Sequence, residues 1–251
     1  MEVSRFRSLE ELRAAITECR RCPRLVRYRE AVARRKVARF RDWTYWGRPV
    51  PGFGDRGARL LVIGLAPAAH GGNRTGRVFT GDASGDWLHR ALHRAGFASQ
   101  PTSTRRDDGL RLDGCYVTAS VRCAPPGNRP SRGEFARCAP FLEREIELLP
   151  GVRAVVALGE AAWNSFLHAW VALGNENPRP KPRFGHGAVV PLGRVVLFGS
   201  YHPSQRNTRT GRLTESMFDA VFRSARKRLG VSGDGRGESP GRALVDPQQR
   251  I

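Results

Sequence analysis

The sequence predicts an α/β fold of three layers, αβα, with a central, mainly parallel four-stranded sheet. Two observations carry this. Four short apolar runs, 59–65, 114–121, 153–158 and 194–200, are rich in β-branched residues and show no polar alternation, as strands buried on both faces do. Amphipathic helical segments lie between them, and strands alternating with helices build a parallel sheet covered on both sides. At 251 residues the chain can bury a substantial core. A single domain is expected over 1–229. The tail, 230–251, is Gly, Ser, Pro and polar residues with little to bury, and is expected to be disordered.

Each element has its own signal. Ser8 and Glu11 stand at capping-box spacing, and Leu9, Leu12 and Ile16 mark one face of a helix ending near Cys19. A second helix is expected from 23 to about Phe40, then a packed loop with Trp43, Tyr45 and Trp46 that ends in the Pro/Gly-rich stretch Pro49–Gly57. After the strand at 59–65 comes a long Gly/Pro turn, then a helix over 84–96 that buries Trp87, Leu88, Leu92 and Phe97. The strand at 114–121 leads into a Pro/Gly loop, Ala124–Pro130, and Ser131 and Glu134 form another capping box opening a helix to about Leu149. The strand at 153–158 precedes a helix over 160–171 and a Pro-rich loop over 174–187. The strand at 194–200 delivers Tyr201-His202-Pro203-Ser204, and a last helix runs from about Thr214 to Leu229.

Charge narrows the function classes. Lys plus Arg number 43 against 23 acids, a net charge of +20, which exceeds what solubility needs and points to a polyanion, most simply nucleic acid. All the bases but Lys36, Lys181 and Lys227 are arginine, the residue suited to bidentate phosphate contacts. No apolar stretch approaches the roughly 20 residues of a membrane span, and no signal peptide is expected before Ser8. We expect a cytoplasmic, nucleoid-associated monomer with no membrane partner.

The chemistry gathers in the loop after the first strand. Gly64, Pro67, Gly71, Gly72, Gly76 and Gly81 leave little side-chain bulk, so a ligand can approach the backbone outside the carboxyl end of a strand. Asp82 is the only carboxylate in that loop; it is also placed to be an ordinary helix N-cap, a role that does not exclude catalysis. His202 leaves a second strand, so the two loops could face each other. Cys19-Arg20-Arg21-Cys22 ends the first helix, and Cys123 and Cys138 follow the strand at 114–121. Two separated pairs of thiolates suit zinc or an iron–sulfur cluster, with a redox pair as the rival reading. Cys115 starts a strand and reads as a small core residue.

Gly64-Leu65-Ala66-Pro67, Phe79-Thr80-Gly81-Asp82, Arg122-Cys123-Ala124-Pro125-Pro126-Gly127-Asn128-Arg129 and His202-Pro203-Ser204 together resemble the iron–sulfur uracil-DNA glycosylases of bacteria and archaea. The resemblance runs from Cys19 to about Leu229. The stretch GLAPAAHGGNRTGR is most similar to the branch called family five, or type B, known from thermophilic bacteria. Type A relatives carry an acid where this chain has Leu65, and an Asn that reads uracil where it has Ala119. The family implies a 4Fe–4S cluster on Cys19, Cys22, Cys123 and Cys138, binding of damaged bases in double- and single-stranded DNA, and uracil excision that leaves an abasic site. Base departure leaves positive charge on the sugar and negative charge on the base. Asp82 is the candidate for the first, His202 for the second, and Asn128 for holding the water or the base. Phe79, Ala68 and Ala119 are expected to contact the flipped base, with Phe79 equally readable as core. Arg74, Ser204, Gln205, Arg206 and Asn207 are expected to grip DNA and fill the gap it leaves. Without Asn at 119, hypoxanthine or xanthine should also be admitted. The reading from another class is a non-catalytic nucleic-acid-binding protein with a structural zinc site.

Overall fold

The computed structural model describes residues 3–230, so the expectation for the tail beyond Gly230 lies outside the described residues. The strands are β1 (Phe53–Gly54), β2 (Leu60–Gly64), β3 (Cys115–Ala119), β4 (Ala154–Leu158), β5 (Val189–Leu192) and β6 (Val195–Ser200). They form one sheet in the order β1-β3-β2-β4-β6-β5. The four expected strands are its parallel centre: β2 pairs with β3 and β4, and β4 with β6, so that Val62 faces Val117 on one side and Val156 on the other.

The sheet has six strands rather than four. Both additions are antiparallel edges, β1 on β3 and β5 on β6. Two residues of β1 are too few to show a pattern. In β5, Val189 is more than half exposed and Pro191 interrupts the run, so the segment reads as loop; an edge is where a strand tolerates proline.

Because side chains alternate across a strand, Leu60 and Val62 pack on one face while Leu61 and Ile63 pack on the other. Helices α4 (Ala83–Arg94) and α8 (Glu215–Arg228) cover the first face with Leu88, Leu92, Phe218 and Phe222. Helices α5 (Arg132–Glu147) and α6 (Glu160–Ala172) cover the second with Leu142, Trp163 and Phe166. Each such fully buried side chain contributes about 1.5–3 kcal/mol. A third cluster joins α1 (Leu9–Thr17) and α2 (Pro23–Arg35) to α5 through Leu12, Ile16, Leu25 and Phe141, with Cys123 and Cys138 among them.

Helix α2 stops at Arg35, short of the expected Phe40. Lys36 takes a left-handed φ of 52°, Val37 is extended, and Ala38–Phe40 is a separate 3-10 turn. That break lets the chain fold back so that Phe40 and Trp43 reach Arg74 of the short helix α3 (Gly72–Thr75).

The chain passes from β2 to β3 on one side and then to β4 on the other. The loops leaving the carboxyl ends of β2 and its neighbours therefore diverge, which opens a crevice there. Buried polar networks hold the loops. Arg77 pairs with Asp108 (2.7 Å) and donates to Thr80 and Ser103, tying the turn at 103–108 to the loop before α4. On the other face Arg122 pairs with Glu145 (2.6 Å), which also accepts from Thr118. Among the described residues no helix is long and apolar enough to cross a membrane.

Candidate active site

At the carboxyl ends of β2, β3 and β6 lies a cleft of about 560 Å3. Its lining includes Asp82, Asn128, His202, Phe79, Ala68, Ala119, Ser204, Gln205 and Arg206, so nine of the eleven residues expected to contact base, sugar or DNA share one cavity. Pro67 and Ser84, not among the residues expected to contact base, sugar or DNA, also line it. Arg74 and Asn207 do not line it.

Asp82 is the N-cap of α4, and its Oδ1 accepts from the Gly85 backbone N–H at 3.0 Å. The cap fixes the carboxylate at a helix start, where the macrodipole favours negative charge. Burial nonetheless pushes its carboxyl above the usual range, reinforced by Asp86; the Gly85 and Ser84 backbone N–H groups and the Arg74 charge pull the other way. The carboxylate fits only because residue 71 is glycine: a Cβ there would stand 2.7 Å from Asp82 Cγ and overlap Oδ2. That clearance has no signature in a single sequence.

Arg74 is 3 % exposed rather than offered on the surface. Its guanidinium lies in the corner made by Phe40 and Trp43, 3.8 and 4.0 Å from the ring centroids, the two rings meeting edge to face at 72°. Nε donates to the His70 carbonyl (2.7 Å) and Nη2 to the Gly81 carbonyl (2.8 Å), closing the loop that ends in Asp82. Composition shows an arginine's charge but not the rings that cover it.

His202 leaves β6 with its carbonyl held twice, by the Ser204 N–H and by Asn207 Nδ2, both at 2.8 Å. Asn207 thus supports the His202 backbone. Burial lowers the imidazole pKa to about 4, so the ring is neutral at neutral pH. Phe79 stands beside it, the ring centroids 5.9 Å apart and tilted by 31°. Phe79 holds a left-handed φ of 49°, a costly conformation for an aromatic residue. Two glycines admit it: a Cβ at Gly64 would meet the ring at 2.5 Å, and one at Gly85 would strike the Phe79 carbonyl. The ring packs on the core edge and also walls the cleft.

The rim comes from two loops. Gly127 and Asn128 both take positive φ, 58° and 56°, in a tight turn that brings Asn128 to the cleft. Ser204 caps the short helix α7 (Gln205–Arg209), with Gln205 and Arg206 exposed above it. Ala119 offers the cleft no polar group.

The four paired cysteines also come together. Cys19, Cys22, Cys123 and Cys138 line one small cavity with Leu25, Val26, Val121 and Phe141, while Cys115 is buried in the main core. Three of the sulfurs receive N–H groups: Arg29 Nη1 to Cys123 at 3.0 Å, the Arg122 backbone to Cys138 at 3.3 Å, and Arg137 Nε to Cys22 at 3.4 Å. Arg29 is 2 % exposed, so a buried cation faces Cys123. Burial raises the Cys123 and Cys138 thiols to about 11 and about 12, so thiolates here need positive partners. Among the described residues no three His, Cys, Asp or Glu side chains converge to hold a metal ion.

The family model described as the uracil DNA glycosylase superfamily matches residues 51–226. The type-5 uracil-DNA glycosylase of Mycobacterium bovis is 55 % identical over 226 residues, covering 89 % of this chain and 83 % of that protein. The type-5 enzyme of Thermus thermophilus is 52 % identical over 217 residues, 86 % of this chain and 96 % of that one. A type-4 uracil-DNA glycosylase of Pyrobaculum aerophilum is 29 % identical over 197 residues, 78 % of this chain and 83 % of that one.

Proposed function

This chain belongs to the uracil DNA glycosylase superfamily, and from that premise we propose that it excises uracil from DNA by hydrolysing the N-glycosidic bond. The observation that carries the assignment of roles is the convergence of Asp82, Asn128, His202 and Phe79 on one cleft at the strand ends.

A base stacked in a duplex hides its glycosidic bond, so the nucleotide must be extruded into the cleft. The bond then breaks with its electron pair passing to the base, leaving the sugar cationic. The Asp82 carboxylate stabilises that cation and orients the water whose oxygen adds to the sugar carbon and whose proton is released. The neutral imidazole of His202 donates its N–H to the oxygen on which the departing base gathers charge. Because the ring is neutral, it stabilises that anion by hydrogen bonding without giving up its proton. Phe79 supplies a flat apolar face for the base, and Asn128 a polar group at the rim. Gln205 and Arg206 meet the strand beside the extruded nucleotide, and Arg74 with Asn207 hold the two catalytic loops in place.

Ala119 leaves the base pocket without a side chain to read uracil's polar edge. A site that hydrogen-bonds one group discriminates by roughly 10⁴-fold, whereas an apolar pocket manages only about 10–200-fold. Hypoxanthine and xanthine are therefore substrates in this reading.

Cys19, Cys22, Cys123 and Cys138 are proposed to hold a 4Fe–4S cluster. Each cysteine of such a cluster binds its own iron, so the sulfurs need not converge on one ion, and N–H donors to sulfur are the usual surroundings. Bound there, the cluster cross-links the end of α1 to the Asn128 loop; none of the chemical steps above passes through it.

The experiment is direct. Purified protein given a duplex with one uracil should release free uracil and leave an alkali-labile abasic site. Intact DNA after prolonged incubation with folded, brown protein would refute the function.

A further inference from the structure

We propose that a groove lined by Trp43, Arg74, Arg105 and Arg106 is a second DNA-binding surface, gripping backbone phosphates beside the extruded nucleotide. The proposal rests on the glycosylase reading for the identity of the polyanion. The groove, of about 770 Å3, also includes Thr44, Thr75, Asp42 and Asp107. It borders the same loop as the catalytic cleft: Arg74 and Thr75 line the groove, and Val78, Phe79 and Asp82 line the cleft. The turn that carries Arg105 and Arg106 is fastened to that loop, since the Gly81 N–H donates to the Ser103 carbonyl (2.8 Å) and Arg77 Nη1 to the Arg106 carbonyl (3.2 Å).

The arginines here are held differently from those that pair with carboxylates elsewhere. Arg20, Arg24, Arg48, Arg56, Arg90 and Arg144 each spend their N–H edge on a carboxylate. Among the described residues no carboxylate lies within 4.0 Å of Arg39, Arg74, Arg105 or Arg106; the ion pairs fall on other residues, and Asp42 and Asp107 stand apart. These four lie instead on aromatic rings. Arg39 and Arg74 are 4.3 and 3.8 Å from the Phe40 centroid, Arg74 and Arg105 are 4.0 and 5.8 Å from Trp43, and Arg106 is 4.9 Å from Trp46. A ring supports the face of a guanidinium and leaves the N–H edges of Arg39, Arg105 and Arg106 free for bidentate contact with a phosphate, whereas Arg74 has spent Nε and Nη2 on the His70 and Gly81 carbonyls. Arg74 adds a buried Nη1 with no hydrogen-bond partner, so the ladder is short of an anion. Arginines interleaved with aromatics are also how grooves track a nucleic-acid backbone.

The probe is an undamaged duplex, with affinity measured across a salt series for wild type, Arg105→Ala/Arg106→Ala, Arg105→Lys/Arg106→Lys and Arg56→Ala. Both tip residues are exposed, so the variants should keep the wild-type melting temperature. The slope of log affinity against log salt should fall by about 0.9 per lost phosphate contact, hence by about 2 in the double Ala variant. The double Lys variant should keep most of the slope. Arg56→Ala, whose partner is Glu10, should keep all of it. An unchanged slope in the double Ala variant, or an equal drop in Arg56→Ala, would overturn the groove while leaving the glycosylase reading standing. A wild type that binds no duplex would overturn both.

Discussion

Replacing Gly71 by Ala tests whether excision depends on where the Asp82 carboxylate stands rather than merely on its presence. The added Cβ would lie 2.7 Å from Asp82 Cγ, while carbon atoms rest about 3.5–4.0 Å apart, so the carboxyl group must retreat by about 1 Å. A displacement of that size at a reacting centre can cost about 10²-fold in rate. The retreat also pulls Oδ1 from the Gly85 N–H, and losing an N-cap costs about 0.5–2 kcal/mol. For a domain of this size that is a fall in Tm of about 1–8 °C. Single-turnover uracil release should therefore drop about 100-fold in Gly71→Ala, while duplex affinity holds and the protein stays folded. A rate within a few-fold of wild type, at unchanged fold, would refute the argument that this glycine exists to seat the carboxylate.

Three further outcomes are expected. Excision should be flat at neutral pH and fall as acid protonates Asp82, whose pKa burial has raised; His202, neutral down to about 4, should add no loss near 6.5, and a transition centred there in a single-turnover pH profile would contradict its buried state. Substituting Cys19, Cys22, Cys123 or Cys138 should bleach the protein and lower its Tm, whereas Cys115→Ser should stay brown; visible absorbance and metal analysis decide, and a colourless wild type with stoichiometric zinc would overturn the cluster. Wild type should release hypoxanthine and xanthine as well as uracil, and Ala119→Asn should narrow release toward uracil by at least about 10-fold; hypoxanthine untouched by wild type would defeat the reasoning from Ala119.

The parallel centre of the sheet was legible because β2, β3, β4 and β6 are buried on both faces and so read as largely apolar runs. The edges were not, since β5 alternates exposure around Pro191 and β1 is two residues long. Asp82 stood out as the lone carboxylate of a loop stripped of side chains, and His202 by its place at a strand exit. The residues that hold those two were hidden, because they act through tertiary contacts. Gly71 looked like one more small residue, although it alone clears the carboxylate. Asn207 gave no sign that its amide also holds the His202 carbonyl. Arg74 was expected to grip DNA, but its burial was not legible, because only the early end of α2 brings Phe40 and Trp43 over it. Spacing paired the cysteines, but the donors to their sulfurs, Arg29 and Arg137, come from 94 and 115 residues away.

The account turns on Asp82 acting as an anion in the cleft. The measurement is single-turnover uracil release by Asp82→Asn beside wild type, with binding to the same uracil duplex measured for both. Asn keeps the shape and can still cap α4, but it carries no charge to steady the cationic sugar. Release should fall by several hundred-fold or more, while duplex affinity stays within a few-fold and Tm within a few degrees. Release near the wild-type rate by a folded, DNA-binding Asp82→Asn protein would contradict the account at its centre.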